Sequence, residues 1–522
     1  MSARAIMVLG TSSHVGKSLL VAALCRIFAQ HGVRVAPFKS QNMSLNSAAT
    51  PEGLEIGRAQ ALQAEAAGIA PSVHMNPILL KPMGDMRSQI VVHGRIWGSL
   101  SASDYHLRRV EELMPAVRES YATLAESYDV VVIEGAGSPA EINLKQHDIV
   151  NMRIAAMADA RCLLVGDIDR GGVFASLLGT VLLLDPEEQA RIDGFAINKF
   201  RGDLSLLASG VHRMEQRLAK PCLGVVPFLQ DLKLDEEDSV GLRIEPGLKW
   251  KPDTNSSRPL NIAVIALPSF SNFTDFDALL AEPSIALHFV RTTEALTLAD
   301  VVILPGSKQT VDDLLWLRAQ GLDAAIEKHA IAKWVVGICG GMQMLGHTIL
   351  DSEGIEHAGT FAGLGLLPIH TTMLAHKITS LAHGAVIEGS TLGAHLSGIP
   401  VCGYEIHVGE TTYLEHAAPF ARIARLDTPG TEYTDGCIAP AGHIFGTYLH
   451  GLFDEDAFRH AFLADVRAFY TLSPATEFAD WKTVRENELN RLASHVEAAL
   501  DMNTIFRWAG LRYESSKAEP PR

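Results

Sequence analysis

Residues 10–18 read GTSSHVGKS, between a short apolar run, AIMVLG, and a helical pattern from about Ser18 to His31. No other stretch constrains the fold as strongly. Glycines in such a loop let successive backbone N–H groups turn toward phosphate oxygens, and the helix behind it presents the positive end of its dipole to the same anion. Lys17 is placed to neutralise β- and γ-phosphate charge and the Ser18 hydroxyl to hold Mg²⁺. Gly10, Thr11, Gly16, Lys17 and Ser18 are therefore the expected nucleotide-binding residues. The spacing from Gly10 to Gly16 is one residue longer than in the common form of this loop, which marks a subclass.

The alternation continues. VRVAPF, DVVVIEG, RCLLVGDI and IDGFAINK are apolar runs separated by longer helical patterns, the signature of βαβ units around a mainly parallel sheet. Residues 248–259, LKWKPDTNSSRP, are polar, turn-rich and aperiodic, and read as a linker. After it LNIAVIAL, DVVILPG and KWVVGICGG each deliver an apolar run to a glycine turn, predicting a second α/β domain. A chain of 522 residues fits this division, since single cores stop growing beyond roughly 250–300 residues. The expected boundaries are 1–247 for the first domain, 260–453 for the second, and 454–522 for a helical extension ending in a frayed tail.

Charge and cysteine usage exclude several classes. A formal charge of −16 disfavours nucleic acid or an anionic membrane as partner, because both reward a basic surface. Six scattered cysteines without a CxxC pair offer neither a disulfide framework nor a zinc-knuckle spacing, and fit a reducing, cytoplasmic setting. The N-terminal apolar run is too short for a signal peptide, and no stretch approaches the ~20 uninterrupted apolar residues that span a bilayer. His14, His74, His93 and His106 lack a metal-ligand spacing. Oligomeric state is not written in the pattern.

Carboxylates stand where strands end. Glu134 closes DVVVIE ahead of GAG, at the strand edge where metal–phosphate chemistry sits in open α/β sheets, and is the expected second Mg²⁺ ligand beside Ser18. Asn198 and Lys199 follow FAI, where an amide can read a nucleotide base. Asp167, Asp169 and Arg170 in GDIDRGG occupy a similar strand end.

A second constellation centres on Cys339, set in GICGGMQ at a sharp turn between a strand and a helix that begins with small residues. This is a nucleophile elbow built on cysteine. The helix dipole favours the thiolate and the oxyanion that follows, and the Gly340 N–H is one oxyanion donor. A lone buried cysteine is usually packing and a lone histidine a satisfied core group. Here, however, the PGS turn at Gly306, the elbow, GYEIH and a late YLHG occur in the order found in class I glutamine amidotransferases, which this half resembles. The resemblance implies Cys339 as nucleophile, His450 as its base, Gly306 as the second oxyanion element, and Gln343, Tyr404 and Glu405 on the glutamine side, with His407 in the same segment. Many of these enzymes carry glutamate two residues after the histidine, where this chain has Leu452. Asp454, Glu455 and Glu405 are candidates to orient the imidazole, and a Cys339–His450 dyad is the other possibility.

The first half carries GTSSHVGKS, APFKSQNMSLNS, GRAQALQAEAAG, MNPILLKP, EGAGSPAEINL, DIVNMRIA, GDIDRGGVFASL and INKFRGD in order. Its loop resembles that of dethiobiotin-synthetase-like ligases, and the whole series resembles the cobyric acid synthase family from Ala5 to about Phe453. The resemblance implies ATP- and glutamine-dependent amidation of the b, d, e and g carboxylates of a cobalt corrinoid, adenosylcobyrinic acid a,c-diamide. The corrinoid is then substrate, Mg²⁺ accompanies ATP, and no tightly bound prosthetic group is expected. Lys39, Gln41 and Asn42 match the family segment facing nucleotide and substrate, and Asp167, Asp169 and Arg170 its substrate-side loop. Ligases of the parent pattern place a further metal-binding aspartate after a TPEGL-like segment. Here TPEGLEIGRAQ puts Arg58 near that position, leaving a third ligand unassigned.

Two other readings compete. Cobyrinic acid a,c-diamide synthase shares both domains, but SQNMSLNS and DIDRGG favour cobyric acid synthase. A partitioning ATPase with a non-catalytic second domain is opposed by the intact elbow and His450.

Overall fold

The computed structural model describes residues 3–83, 87–234 and 255–514. The chain forms two compact units, and neither is continuous in sequence. The first comprises Met1–Ser44, Ile56–Leu234 and Arg485–Arg522, the second Leu45–Glu55 and Asp235–Val484. The expected division at 248–259 was continuous; most of that linker, residues 248–254, lies outside the described residues.

In the first unit six strands lie in the order Cys222–Pro227, Ile192–Phe200, Arg161–Asp167, Arg4–Gly10, Val130–Glu134 and Val35–Phe38. Every neighbouring pair is parallel. Parallel strands end on one edge, so the pairings Gly10↔Val165, Val8↔Glu134 and Asp167↔Asn198 bring the phosphate loop, Glu134, Asp167 and Asn198 to the same side of the sheet. The strands are apolar almost throughout because both faces are covered. Helix Lys17–Gln30 buries Leu20, Val21, Leu24, Ile27 and Phe28 against one face.

The end of the chain completes that core. Leu489, Leu492 and Val496 of helix Trp481–Ala499 and Ile505 and Phe506 of helix Met502–Trp508 pack into it. Arg26 donates to Asn490 Oδ1 at 3.0 Å and Arg485 pairs with Glu65 at 2.6 Å. The region expected as an appended extension is therefore divided. Helix Asp456–Phe469 inserts Phe458, Phe462, Leu463 and Val466 into the second core, and residues from Arg485 onward belong to the first unit. The apolar stripes of these helices supply core that neither α/β unit has from its central segment alone.

The second unit has a six-stranded sheet in the order Ile285–Val290, Leu260–Ile265, Val301–Leu304, Trp334–Ile338, Ile444–Thr447 and Cys437–Ile438, parallel except for the last pair. A second sheet is built on the long antiparallel strands Ile369–Val386 and Pro400–Tyr413. The chain leaves the first sheet at Thr447 and enters the second at Leu449–His450, where His450 pairs with Tyr404. This change of sheet carries His450 to the site. Residues 45–55, which come from the N-terminal half of the sequence, pack here, with Ala49 against Tyr404 and Ile406.

Candidate active sites

Strand Trp334–Ile338 delivers Cys339 to a backbone conformation of φ 52° and ψ −111°. A non-glycine residue held at positive φ stores of order 1–3 kcal/mol and persists where surrounding structure over-determines it. Here the Cys339 N–H donates to Thr447 O at 2.7 Å, and Gln343 N–H donates to Cys339 O at 3.1 Å as the helix begins. Gly341 permits the close approach, since a Cβ there would lie 2.0 Å from Leu304 O. The sulfur is buried and lies 3.7 Å from Ile406 O.

The ring of His450 is fully buried. Its Nδ1 lies 2.7 Å from Asp275 Oδ2, and Oδ1 of the same carboxylate accepts from Gly451 N–H at 2.9 Å. Tyr404 stacks on the ring at 5.3 Å and 22°, and Asn272 Nδ2 lies 3.4 Å from Nε2. Burial disfavours the charged ring, but Asp275 and Cys339, by charge and hydrogen bonding, outweigh it and raise the imidazole to about 10. Gly306 also packs against the ring, where a Cβ would meet His450 Cε1 at 2.8 Å. Gln343 Nε2 donates to Val408 O and Tyr448 Oη, both at 3.1 Å, and its Oε1 accepts from Thr310 Oγ1 at 3.3 Å. Sulfur, imidazole and carboxylate thus stand in relay order, with the imidazole's outer nitrogen fixed by an acid.

In the first unit the loop is closed on itself. Lys17 Nζ donates to Ser12 O at 3.0 Å and to Gly137 O at 3.3 Å. Glu134 is buried and gathers three donors: Ser18 Oγ at 2.9 Å and Lys39 Nζ at 2.8 Å on Oε1, and Gln63 Nε2 at 2.6 Å on Oε2. Gln63 Oε1 is buried with no hydrogen-bond partner. The Ser18 hydroxyl, the Glu134 carboxylate and this orphaned amide oxygen are hard oxygen donors beside a phosphate loop, a set that fits Mg²⁺ bound with nucleotide.

Residues 6–240 match the CobQ/CobB/MinD/ParA nucleotide binding domain and residues 261–458 the CobB/CobQ-like glutamine amidotransferase domain. A cobyric acid synthase of Pelotomaculum thermopropionicum is 48% identical over 519 residues, 98% of this chain and 97% of that one. The chain belongs to the cobyric acid synthase family. The cobyric acid synthase of Moorella thermoacetica is 48% identical over 98% of both chains, and that of Syntrophobacter fumaroxidans 47% identical over 98% of this chain and 99% of that one. As a family member the chain is an amide ligase with a glutamine amidotransferase domain.

Within this cobyric acid synthase framework the structure redistributes several expected residues. Asp275 partners the imidazole; Glu405 instead pairs with Arg425 at 2.5 Å and faces His407 at 3.5 Å. Its carboxyl is lowered in spite of burial, because His407 and Arg425 hydrogen-bond and pair with it. Glu405 is thus a carboxylate held by a guanidinium. Neither Asp454 nor Glu455 makes the contact with Nδ1 that Asp275 makes. Lys39 lies on Glu134 beside the phosphate loop, while Gln41 is buried and Asn42 Nδ2 donates to Gln60 Oε1 at 3.0 Å.

Asn198 Nδ2 donates to Val15 O at 2.8 Å and so props the loop from behind. Lys199 Nζ reaches His14 O at 2.5 Å and Asp167 Oδ2 at 2.9 Å. Asp169 pairs with Arg201 at 3.0 Å, and Arg170 is exposed on the same turn. Gly10 ends its strand, and Thr11 N–H donates to Val165 O at 2.9 Å.

Three residues went unnoticed in the sequence: Asp275, Asn272 and Gln63. For Gln63 a signal existed. Gln60 and Gln63 are buried polar residues three apart on one face of helix Arg58–Ala66, amid alanines. For Asp275 the only trace was SNFTDFD following a buried strand.

Proposed function

We propose that this chain amidates the b, d, e and g side-chain carboxylates of adenosylcobyrinic acid a,c-diamide, drawing ammonia from glutamine and activation from ATP. The observation that carries the reading is that one chain holds both a phosphate loop with Lys17, Ser18 and Glu134 and a Cys339–His450–Asp275 relay. The family relationship supports the substrate class.

A carboxylate is a poor electrophile until one oxygen leaves as phosphate. Transfer of the γ-phosphoryl group from ATP to the substrate carboxylate gives an acyl phosphate and ADP. Ammonia attacks the acyl carbon, the C–N bond forms, and inorganic phosphate leaves. Positioning and charge stabilisation do most of the work in phosphoryl transfer. Lys17 and Lys39 supply cationic charge, and the Gly10–Ser18 loop directs backbone N–H groups at phosphate. Mg²⁺, when bound with ATP at Ser18, Glu134 and Gln63, supplies further neutralisation of phosphate charge.

In the second unit the Cys339 thiolate, its proton already held on His450 Nε2, attacks the glutamine carboxamide carbon. Asp275 holds the Nδ1–H, fixing the tautomer. The oxyanion faces the Gly340 N–H and the Gly306 turn. His450 returns its proton to the departing ammonia, leaving a γ-glutamyl thioester, and water attack, with His450 again as base, releases glutamate. The reaction belongs to the cytoplasm, where ATP and glutamine are available.

The test is mass spectrometry of the products formed with ATP, Mg²⁺, glutamine and adenosylcobyrinic acid a,c-diamide. Four successive amidations are expected, lost in Cys339→Ala with glutamine and restored by ammonium. An unchanged corrinoid mass with wild-type protein would remove the corrinoid as substrate.

A further inference from the structure

A four-stranded sheet of the first unit stands beside the phosphate loop. Its order is Gln41–Met43, Ile78–Met83, Arg87–Val92 and Arg95–Ser101; the last two form a hairpin, and Arg95–Ser101 is an outer edge. The first strand begins two residues after Lys39, which lies on Glu134. It is tied to the same place by Asn42, which donates to Gln60, one helical turn from the Gln63 amide that bonds Glu134. The pairings Asn42↔Leu79, Leu79↔Val91 and Val91↔Ile96 form one row across all four strands. Neighbouring strands lie about 4.8 Å apart, so the row spans roughly 14 Å from Asn42 to the edge at Ile96.

Outer strands are normally guarded by charge or proline against sticking. Here Ile96 and Trp97 stand side by side at the edge, 40% and 42% exposed. Ile90 pairs with Gly98 and Val91 with Ile96, so Trp97 is the extra residue of a bulge, a device by which a strand re-aims a side chain. The charge is equally selective. The four strands carry Lys81, Arg87 and Arg95 and no aspartate or glutamate, in a chain whose net charge is −16. Arg87, four residues before Val91 on a regular strand, shares the face of Ile96. Arg87 and Arg95 are exposed, and neither guanidinium has a carboxylate partner among the described residues.

We propose that this hairpin is the docking surface for the corrinoid acceptor, with Ile96 and Trp97 against the macrocycle and Arg87 and Arg95 attracting the carboxylates on its rim. The inference deepens the proposed function and rests on the corrinoid being the substrate. A corrinoid complements the patch in both respects, offering a broad apolar ring to side chains that otherwise meet water and several carboxylates to unpaired guanidinium groups. A ring resting at the edge is separated from the phosphate loop by little more than its own breadth and a side arm. Contacts that read the ring and its charge, rather than one arm, also tolerate the acceptor in four orientations, as amidation of four different carboxylates at one phosphate loop requires.

The test uses the full-length protein with ammonium as nitrogen source, which leaves the Cys339 site out of the measurement. KM for the diamide and for ATP, and Kd for the diamide by equilibrium dialysis, are compared in wild type, Trp97→Ala, Trp97→Phe and Arg87→Gln. Trp97→Ala should raise corrinoid Kd and KM about tenfold, the scale of truncating an aromatic anchor, with KM for ATP within about twofold. Trp97→Phe keeps a planar ring and should stay within about threefold of wild type. Arg87→Gln should raise corrinoid KM about threefold at low salt, and the difference should shrink as ionic strength rises and screens the attraction. A corrinoid Kd in Trp97→Ala within about twofold of wild type overturns the proposal. So does a rise in KM for ATP instead, which assigns the patch to the nucleotide base, or a smaller assembly on size-exclusion chromatography, which assigns it to a second copy of the chain. If Trp97→Ala does not fold, Arg87→Gln decides, and an unchanged corrinoid Kd with unchanged salt dependence overturns the proposal. Wild-type protein that neither binds nor amidates the diamide gives a different result, removing the corrinoid reading and this inference with it.

Discussion

Asp275 Oδ2 lies 2.7 Å from His450 Nδ1 across 175 positions of sequence, and neither side chain is more than 1% exposed. The carboxylate decides which nitrogen of the ring carries the proton and so which can receive one from Cys339. Asp275→Asn should lower kcat for glutamine hydrolysis by about 10²- to 10⁴-fold, since an amide can hold the wrong tautomer. Ammonium-driven amidation should survive. Steady-state glutaminase kinetics check this, and a loss under tenfold would take Asp275 out of the relay.

Gly306 packs against the same ring. A Cβ at this position would lie 2.8 Å from His450 Cε1 and 3.3 Å from Ser271 O. The ring is stacked on Tyr404 and tied to Asp275, so it must shift by several tenths of an ångström. Gly306→Ala should cost on the order of 10²-fold in glutaminase kcat, the usual scale for misplaced catalytic groups. Its thermal unfolding midpoint should fall only slightly. Comparing kcat with the midpoint separates misplacement from unfolding.

The Lys39–Glu134 pair is buried on both sides, at 5% and 0% side-chain exposure. Removing one partner of such a pair leaves a charge without its counterion, which typically costs about 3–5 kcal/mol. The Ser18 and Gln63 hydrogen bonds to Glu134 place Lys39→Met near the lower end. Lys39→Met combined with Glu134→Gln should be less destabilised than the single lysine variant, because the unpaired charge is gone. Denaturant unfolding of the full cycle measures the difference, and nucleotide affinity should fall in all three variants.

Asp435 gives a pH dependence with a definite sign. Burial raises its carboxyl to about 7, reinforced by the negative charge of Glu405 and opposed by hydrogen bonds from Thr447 Oγ1 and Tyr448 N–H. A carboxyl raised in the folded state binds more protons there than in the unfolded chain between about pH 4 and 7. Its contribution to stability is therefore full below that window and declines as pH rises through it, with a slope of at most ~1.4 kcal/mol per pH unit. Asp435→Asn, neutral at every pH, should flatten this part of the profile. Urea unfolding at intervals from pH 4 to 8 tests it, and an unchanged slope would assign the dependence to another group.

Much of this was legible in local pattern. GTSSHVGKS and GICGGMQ declare themselves because a strand, a glycine turn and a helix are adjacent in sequence as in space, so Lys17 and Cys339 are placed by residues within a turn of them. Glu134 was legible for the same reason, at the end of a uniformly apolar strand. The partner of His450 was not. A search among nearby acids finds Asp454, Glu455 and Glu405, but the ring enters the site from a strand that has changed sheets, and it meets a loop following Leu260–Ile265.

The sequence by itself determined two α/β units, two strand–turn–helix elbows and the family to which they belong, because periodicity and glycine placement are local properties of a chain. Tertiary structure alone decided that residues 45–55 pack with the second unit, that the last helices complete the first, and that Asp275 and Asn272 share one imidazole. Those relations depend on which apolar faces bury one another and which polar groups must then find partners away from water. Residues far apart along the chain meet there with no mark in the residues next to them.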